Sequence, residues 1–129
     1  RLSVILSLVL VASVTFAQGV AFEPDGTLLP QAASKAKKEN KLVFVDCYTQ
    51  WCGPCKKIAP IMEELAKEYE DRLIIYKVNT DDEAKLSTIF EVKNIPTIYF
   101  MPVEGQPLKQ VGARSKEEYI SIINKHLID

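Results

Sequence analysis

The hydrophobic residues of this chain of 129 residues fall into short apolar runs that predict strands. The run at residues 42–46 is continuous and is closed by an acid, as suits a strand that is covered on both faces. Runs at residues 73–78 and 97–101 predict two further strands. Shorter segments at residues 20–22 and 108–111 predict a first strand and a last, edge-like strand.

Apolar residues at a spacing of three and four positions predict helices between these strands. In the first helix, Thr27 is expected to cap the start and Asn40 to end it. The second helix follows the strand at residues 42–46 and fades near residues 70–71. Its apolar positions are Ile58, Ile61, Met62, Leu65 and Tyr69.

Two more helices are predicted in the second half of the chain, over residues 83–90 and from Ser115 to about Leu127. Ser115 is followed three residues later by Glu118, which is the signature of a capping box. The residues expected to face the core are Leu86, Ile89 and Phe90 in the third helix and Tyr119, Ile122, Ile123 and Leu127 in the fourth.

The order of these elements predicts the fold class. Alternating strands and helices in the first part imply parallel strands joined by helical crossovers. The last two strands are joined by a short turn, which implies an antiparallel pair. We therefore predict an α/β fold in which about four helices flank a central mixed sheet of about five strands.

The first residues have a different pattern from the rest of the chain. Residues 2–22 contain no charged residue, and Arg1 precedes an apolar run that ends in small residues. This arrangement is typical of a secretory signal peptide, with cleavage expected after Ala17. We predict a signal at residues 1–17 and one domain at residues 18–129. The alternative is an uncleaved membrane anchor, since about 20 uncharged residues are long enough to span a bilayer.

Composition and charge narrow the range of partners and chemistry. The formal net charge is −1, and no block of basic residues stands out, so we expect no nucleic-acid partner. The chain has three cysteines, which are too few for a scaffold held together by disulfides. The cysteines therefore indicate chemistry.

Two of the cysteines, Cys52 and Cys55, lie where a predicted strand gives way to a predicted helix. Free N–H groups and the positive dipole end favour an anion at a helix start, so the pKa of Cys52 should lie below that of an ordinary thiol. Cys55 lies about one turn further along, within reach for a disulfide. This pattern predicts a dithiol redox centre. The alternatives are a static disulfide or half of a zinc site completed by Cys47 and His126, but without a second cysteine pair we expect no metal.

Several motifs together resemble the thioredoxin family. They are the residues at 45–46, 51–56 (WCGPCK), 77–81 (KVNTD), 95–97 (IPT) and 111–113 (VGA). The resemblance runs from about Val20 to Leu127 and implies a thioredoxin-like fold. It also implies that Cys52 is the nucleophile and that Cys55 resolves the mixed disulfide with substrate. In the family, Gly-Pro between the cysteines goes with reducing proteins.

The resemblance implies roles for residues around the cysteine pair. Asp46 would lie buried behind the pair, with a raised pKa, and act as a catalytic base, while Lys77 would modulate it. Pro96 is expected to follow a cis peptide bond, and Ile95 to offer backbone hydrogen bonds to an extended substrate peptide. The expected substrate-binding residues are Trp51, Gly53, Pro54, Ile95, Pro96 and Gly112.

Simpler roles are the alternatives for several of these residues. Asp46 could be a strand-end acid that faces water, and Lys77 a plain surface lysine. Trp51 could serve local packing, and Gly112 could be a turn glycine. Cys47 departs from the family, which usually has an aromatic core residue there, and we interpret it as a small buried hydrophobe and not as a regulatory thiol.

The sequence therefore predicts an exported thiol–disulfide oxidoreductase that reduces protein disulfides outside the cytoplasm, in a bacterial periplasm. Its expected partners are disulfide-containing proteins and an external electron donor, such as a membrane thiol reductase, because no nicotinamide or flavin motif is apparent. We expect no cofactor and a monomer. The alternatives are a disulfide isomerase, an apocytochrome-reducing protein, or a non-catalytic binding module on a thioredoxin fold. A membrane-anchored domain outside the cytoplasm is the alternative location.

Overall fold

A computed structural model describes residues 20–22 and 29–127 of the chain. In chain order its elements are β1 (Val20–Phe22), α1 (Leu29–Lys38), β2 (Leu42–Tyr48), α2 (Gly53–Glu68), β3 (Leu73–Asn79), α3 (Ala84–Ile89), β4 (Thr97–Met101), β5 (Leu108–Val111) and α4 (Lys116–Leu127). The predicted signal at residues 1–17 and the predicted cap at Thr27 lie outside the described residues. In the described part, no helix has the length and apolar character needed to cross a membrane.

Within the described residues, the five strands form one sheet in the order β1-β3-β2-β4-β5. The strands β1, β3 and β2 are parallel, whereas β4 pairs antiparallel with β2 and β5 pairs antiparallel with β4. Parallel neighbours need a crossover connection, and α2 supplies it between β2 and β3. The prediction of an α/β fold with a mixed sheet flanked by helices is confirmed.

Strand β2 lies in the middle of the sheet and is buried along nearly its whole length. Its side chains alternate between the two faces of the sheet, and both faces are covered. This explains the continuous apolar run in its sequence, because neither face offers a solvent-exposed position. Asp46 is the charged residue in this otherwise apolar strand, and it is also buried.

Helices α2 and α4 cover one face of the sheet. Phe44 and Phe100 meet on this face with their rings edge to face and their centroids 4.5 Å apart. Burying an aromatic or aliphatic side chain of this size stabilises the fold by about 1.5–3 kcal/mol. The buried residues of this core are Leu42, Phe44, Ile58, Met62, Leu65, Ala66, Leu73, Ile75, Ile98, Phe100, Tyr119 and Ile123.

A second, smaller core lies on the opposite face, beneath α1 and α3. It contains Ala36, Val43, Val45, Cys47, Tyr76 and Val78. Leu86 and Phe90 are partly buried against it, as predicted. Ile89 does not pack against this core, because it is 64% exposed, so the prediction that Ile89 faces the core is wrong. Helix α3 is only six residues long, and Phe90 directly follows it. The ring of Phe90 faces the core and packs on the ring of Tyr99, with the two ring centroids 4.9 Å apart.

The ends of two helices carry the predicted signals. Asn40 follows α1 with a φ of 57°, a left-handed conformation that Asn tolerates well. At the start of α4, the Ser115 N–H donates to Glu118 Oε2 at 2.8 Å, and the Glu118 N–H donates to Ser115 Oγ at 3.3 Å. These reciprocal bonds are the predicted capping box. Ile122 is partly buried against the core, whereas the side chain of Leu127 lies outside the described residues.

Candidate active site

Cys52 and Cys55 form a disulfide at the start of α2, with their Cα atoms 5.2 Å apart. Cys52 is the N-cap residue, and its sulfur accepts a hydrogen bond from the Cys55 N–H at 3.2 Å. Pro54 falls in the first turn, where its missing N–H costs no helical hydrogen bond. Both sulfur-bearing residues are almost fully buried. The helix terminus therefore places a polar N–H directly on the sulfur that the sequence predicts as the nucleophile.

Asp46 lies on the face of the sheet that α2 covers. It is two residues beyond Phe44 on β2, so both side chains project to the same face. The residue is only 2% exposed, and burial raises the pKa of its carboxyl to about 6, partly offset by the charge of Lys77. Its Oδ1 has no hydrogen-bond partner among the described residues. The alternative of a strand-end acid that faces water is therefore wrong.

Lys77 is the register partner of Asp46 on the neighbouring strand β3. Its ammonium also lies over the ring of Tyr48, 4.4 Å from the ring centroid. Lys77 is half-buried, and its charge lowers the pKa of Asp46 against the larger effect of burial. The structure thus places a cation beside the buried acid, as the sequence predicts.

Cys47 projects to the opposite face of the sheet from Asp46 and packs in the second core. It is fully buried, and burial together with the nearby Asp46 carboxyl raises the pKa of its thiol to about 12. A thiol in these surroundings stays protonated and behaves as a small apolar side chain. Cys47 is therefore not brought together with Cys52 and Cys55, which removes one ligand of the alternative zinc site.

The loop before β4 closes the same end of the sheet. The peptide bond between Ile95 and Pro96 is cis, as predicted. Thr97 at the start of β4 is the register partner of Cys47 near the end of β2, so Pro96 lies at the edge from which the chain leaves β2 for Cys52. Pro96 is buried, whereas Ile95 is only partly so.

Gly112 joins this loop to the end of β5. Its N–H donates to the Pro96 carbonyl at 2.9 Å, and its φ is +89°, which side chains rarely adopt. A Cβ built at this position would meet nothing within 4 Å. Glycine is therefore needed here for the backbone conformation, as the alternative of a turn glycine implies. The space beside Gly53 is open as well.

Trp51 stands at the surface beside the disulfide and is 70% exposed. Its indole N–H donates to Asp81 Oδ2 at 2.9 Å. Asp81 is held in turn, because its own N–H donates to Asn79 Oδ1 at 3.0 Å. The sequence predicted no such partner for Trp51, because the parallel pairing of β2 and β3 indicates only that both residues lie at one edge of the sheet.

Two further residues of this region were missed as site residues. Tyr48, which contacts Lys77, has no role among the site residues predicted from the sequence. Thr49 is 2% exposed, and its Oγ1 has no hydrogen-bond partner among the described residues. A buried hydroxyl without a partner typically costs about 1–3 kcal/mol, and no composition or spacing rule marks such a residue in advance.

Comparisons with known proteins agree with this geometry. The Thioredoxin family model matches residues 31–125. A thioredoxin of Borreliella burgdorferi is 44% identical over 84 residues, which are 65% of this chain and 72% of the relative. A thioredoxin of Staphylococcus aureus is 41% identical over 93 residues, covering 71% of this chain and 88% of the relative.

Solved structures show the same likeness. The crystal structure of a poplar thioredoxin h has a TM-score of 0.72 at 30% sequence identity, covering 83% of this chain and 96% of that one. A chloroplastic thioredoxin z has a TM-score of 0.77 at 24% identity, covering 86% and 96%, which shows the fold alone. The chain therefore belongs to the thioredoxin family, as a disulfide oxidoreductase whose cysteine pair is Cys52 and Cys55.

Proposed function

We propose that this protein is a protein-disulfide reductase that acts outside the cytoplasm. The observation that carries the proposal is the placement of the Cys52–Cys55 disulfide at the first turn of α2, the helix that covers the face of the sheet on which the buried Asp46 lies. A helix start favours the thiolate form of Cys52, and a carboxyl whose pKa is about 6 can accept a proton at neutral pH.

The reaction begins with the reduced protein. The Cys52 thiolate attacks one sulfur of the substrate disulfide, which forms a mixed disulfide and releases the other substrate sulfur as a thiolate. Cys55 gives its proton to Asp46 and attacks the Cys52 sulfur. The Cys52–Cys55 disulfide forms, and the second substrate sulfur leaves as a thiolate. Two electrons have then passed from the protein to the substrate.

Substrate proteins are proposed to bind at the end of the sheet where this disulfide lies. The exposed Trp51 offers an apolar plate that the hydrogen bond to Asp81 holds in place. Ile95, before the cis Pro96, would supply backbone hydrogen bonds to an extended peptide. Gly53, Pro54 and Gly112 would complete the contact surface.

The remaining parts of the proposal concern partners and location. The oxidised protein must be re-reduced by an external donor, for which a membrane thiol reductase is our candidate. The uncharged stretch at residues 2–22 supports export to a bacterial periplasm, with residues 1–17 as the signal or, alternatively, as an anchor. We propose a monomer that uses no cofactor.

The direct test is the reduction of a protein disulfide, such as those of insulin, with dithiothreitol as the electron source. We expect turnover with the wild-type protein and with Cys47→Ala, and a loss of at least 100-fold with Cys52→Ser, whose nucleophile is absent. Turnover that survives Cys52→Ser would contradict the proposal. A protein that binds partners but never turns over would instead be the non-catalytic module.

The roles of the two cysteines can be separated by trapping. Cys55→Ser cannot resolve the mixed disulfide, so we expect it to accumulate covalent complexes with substrate through Cys52. The double variant Cys52→Ser/Cys55→Ser is the matched control and should trap nothing. Complexes linked through Cys47 would show that the assignment of the nucleophile is wrong.

A further inference from the structure

The ring of Tyr48 lies against the ammonium group of Lys77, beside the proposed proton acceptor. Lys77 Nζ is 4.4 Å from the centroid of the ring. A cation within about 6 Å of an aromatic centroid is attracted by the negative face of the ring. Tyr48 is not one of the groups that exchange electrons or protons in the proposed reaction. Its contact with Lys77 instead affects the position of the Lys77 charge.

The strand register brings this contact next to Asp46. Asp46 on β2 is paired with Lys77 on β3, and Tyr48 lies two residues beyond Asp46. Residues two apart on a strand share a face, and diagonal neighbours on adjacent strands are within reach of long side chains. The acid, the ring and the ammonium therefore lie on one face of the sheet, at the edge from which the chain leaves for Cys52.

Lysine does not hold such a position by itself. Its ammonium is a strongly hydrated charge on a flexible stem of four carbons, and it tends to extend toward water. Lys77 and Tyr48 are both half-buried, and the ring offers the ammonium a contact on the same face of the sheet as Asp46. Tyrosine contributes this contact with only two rotatable side-chain bonds, so it loses little freedom on being ordered.

We propose that Tyr48 is a positioning residue whose ring holds the Lys77 ammonium beside Asp46 and so sets the proton affinity of that carboxyl. The consequence for the reaction, namely the pH at which Cys55 is deprotonated, rests on the proposed role of Asp46 as the base. Tyr48 thus acts through Lys77 and is not itself a catalytic residue.

Other groups around Asp46 do not supply the same effect. The titratable groups of the described residues whose charge interacts with that of Asp46 are Lys77 from β3, Tyr119 from α4, and Cys47 and Tyr48 from β2 itself. Burial raises the pKa of the Tyr48 hydroxyl, and the charges of Asp46 and Asp82 raise it further. The cysteines of α2, which covers this face, are uncharged as a disulfide. Lys77 is thus the cation of this group, and its position decides how far it favours the ionised carboxylate.

The test is the pH titration of the Asp46 carboxyl carbon by NMR in the oxidised protein. Tyr48→Leu removes the ring but keeps an apolar side chain, and we expect the Asp46 pKa to rise by about half a unit or more, a part of the one to three units that a neighbouring opposite charge supplies. Tyr48→Phe keeps the ring face and should leave the pKa within about 0.2 units of the wild-type value. Tyr48→Met is a second ringless variant in case Tyr48→Leu fails to fold.

The same substitution in a Lys77→Met variant distinguishes an effect of the Lys77 charge from an effect of water that enters the site when the ring is removed. In Lys77→Met, the further change Tyr48→Leu should not raise the Asp46 pKa, because no cation remains to be released. An equal rise in both backgrounds, or no rise in the wild-type background, would overturn the proposal. If the pKa rises as expected but the pH profile of mixed-disulfide resolution does not move, the positioning role of Tyr48 stands and the base role of Asp46 fails.

Discussion

At the scale of single residues, Asp46 is the most consequential side chain of the fold. It lies within the central strand, nearly free of contact with solvent, and its Oδ1 has no hydrogen-bond partner among the described residues. Burial raises the pKa of this carboxyl from 3.8 to about 6, so the folded protein binds a proton more tightly than the unfolded chain does. An ionised carboxylate in this position therefore lowers the stability of the fold. The same burial makes the carboxylate the stronger base that the proposed reaction uses.

The contribution of Asp46 to the free energy of unfolding should therefore fall as the pH rises from about 4 to about 6. Between about pH 4 and pH 6 the native state holds the proton that the unfolded state has lost, so the free energy of unfolding decreases until the carboxyl is ionised in both states. The shift from 3.8 to about 6 corresponds to about 3 kcal/mol. We predict that Asp46→Asn raises the free energy of unfolding at pH 7.5 by about 1–3 kcal/mol.

Urea unfolding at pH 7.5 and pH 4 measures this difference. At pH 4 the gain from Asp46→Asn should shrink to below about 1 kcal/mol, since the wild-type carboxyl is then protonated in the folded state. Asp71→Asn is the matched control, because that side chain is 78% exposed and its removal should change little at either pH. A gain that is equal at both pH values would contradict the raised pKa.

Cys47 provides a second test at this scale. Its thiol is fully buried and has a pKa raised to about 12, so it should remain protonated and unreactive. We predict that iodoacetamide alkylates Cys52 in the reduced native protein at pH 8 and spares Cys47. Mass spectrometry of peptides reads the result, and labelling in urea confirms that Cys47 reacts once it is exposed. Native labelling of Cys47 at a rate comparable to Cys52 would show that it is a reactive thiol.

At the scale of elements, the hydrophobic pattern predicted the order, type and approximate bounds of every strand and helix in the described residues. Long apolar runs and strong capping residues made these predictions possible, because both signals depend only on residues that are close in the sequence. The prediction for Ile89 was wrong because a helix of six residues is too short for its apolar spacing to show which side faces the core. The packing of Phe90 on Tyr99 decides that orientation, and Tyr99 lies nine residues further along the chain, in β4.

The capping box of α4 gives a prediction for an element. Ser115→Ala removes the hydroxyl that accepts from the Glu118 N–H, and we expect a loss of about 1 kcal/mol in the free energy of unfolding. Ser121→Ala, on an exposed face of the same helix, is the control and should change stability by less than about 0.5 kcal/mol. Equal effects of the two substitutions in urea unfolding would show that the cap contributes nothing specific.

At the scale of the whole molecule, topology assembles a site from distant parts of the sequence. Strands β2 and β3 are parallel and end at one edge, which brings Asp46 beside Lys77 and Trp51 beside Asp81. The same edge receives Pro96 from the start of β4, and the Gly112 N–H binds its carbonyl.

The cysteine pair, the buried acid, its lysine and the cis proline could be predicted from sequence motifs. The contacts of Trp51 with Asp81 and of Tyr48 with Lys77 could not. They depend on the exact register of two strands and on side-chain conformations, which no local pattern specifies. The same holds for the unpartnered hydroxyl of Thr49, which is a property of the packed interior alone.

The central claim is that the Cys52–Cys55 pair donates electrons, and its reduction potential tests this most directly. Equilibration with mixtures of reduced and oxidised glutathione, followed by quantification of free thiols, measures that potential. We predict a value near the −270 mV or so known for thioredoxin, as expected for a reductase. A value above about −200 mV, in the range of isomerases and oxidases, would contradict the proposed direction of electron flow.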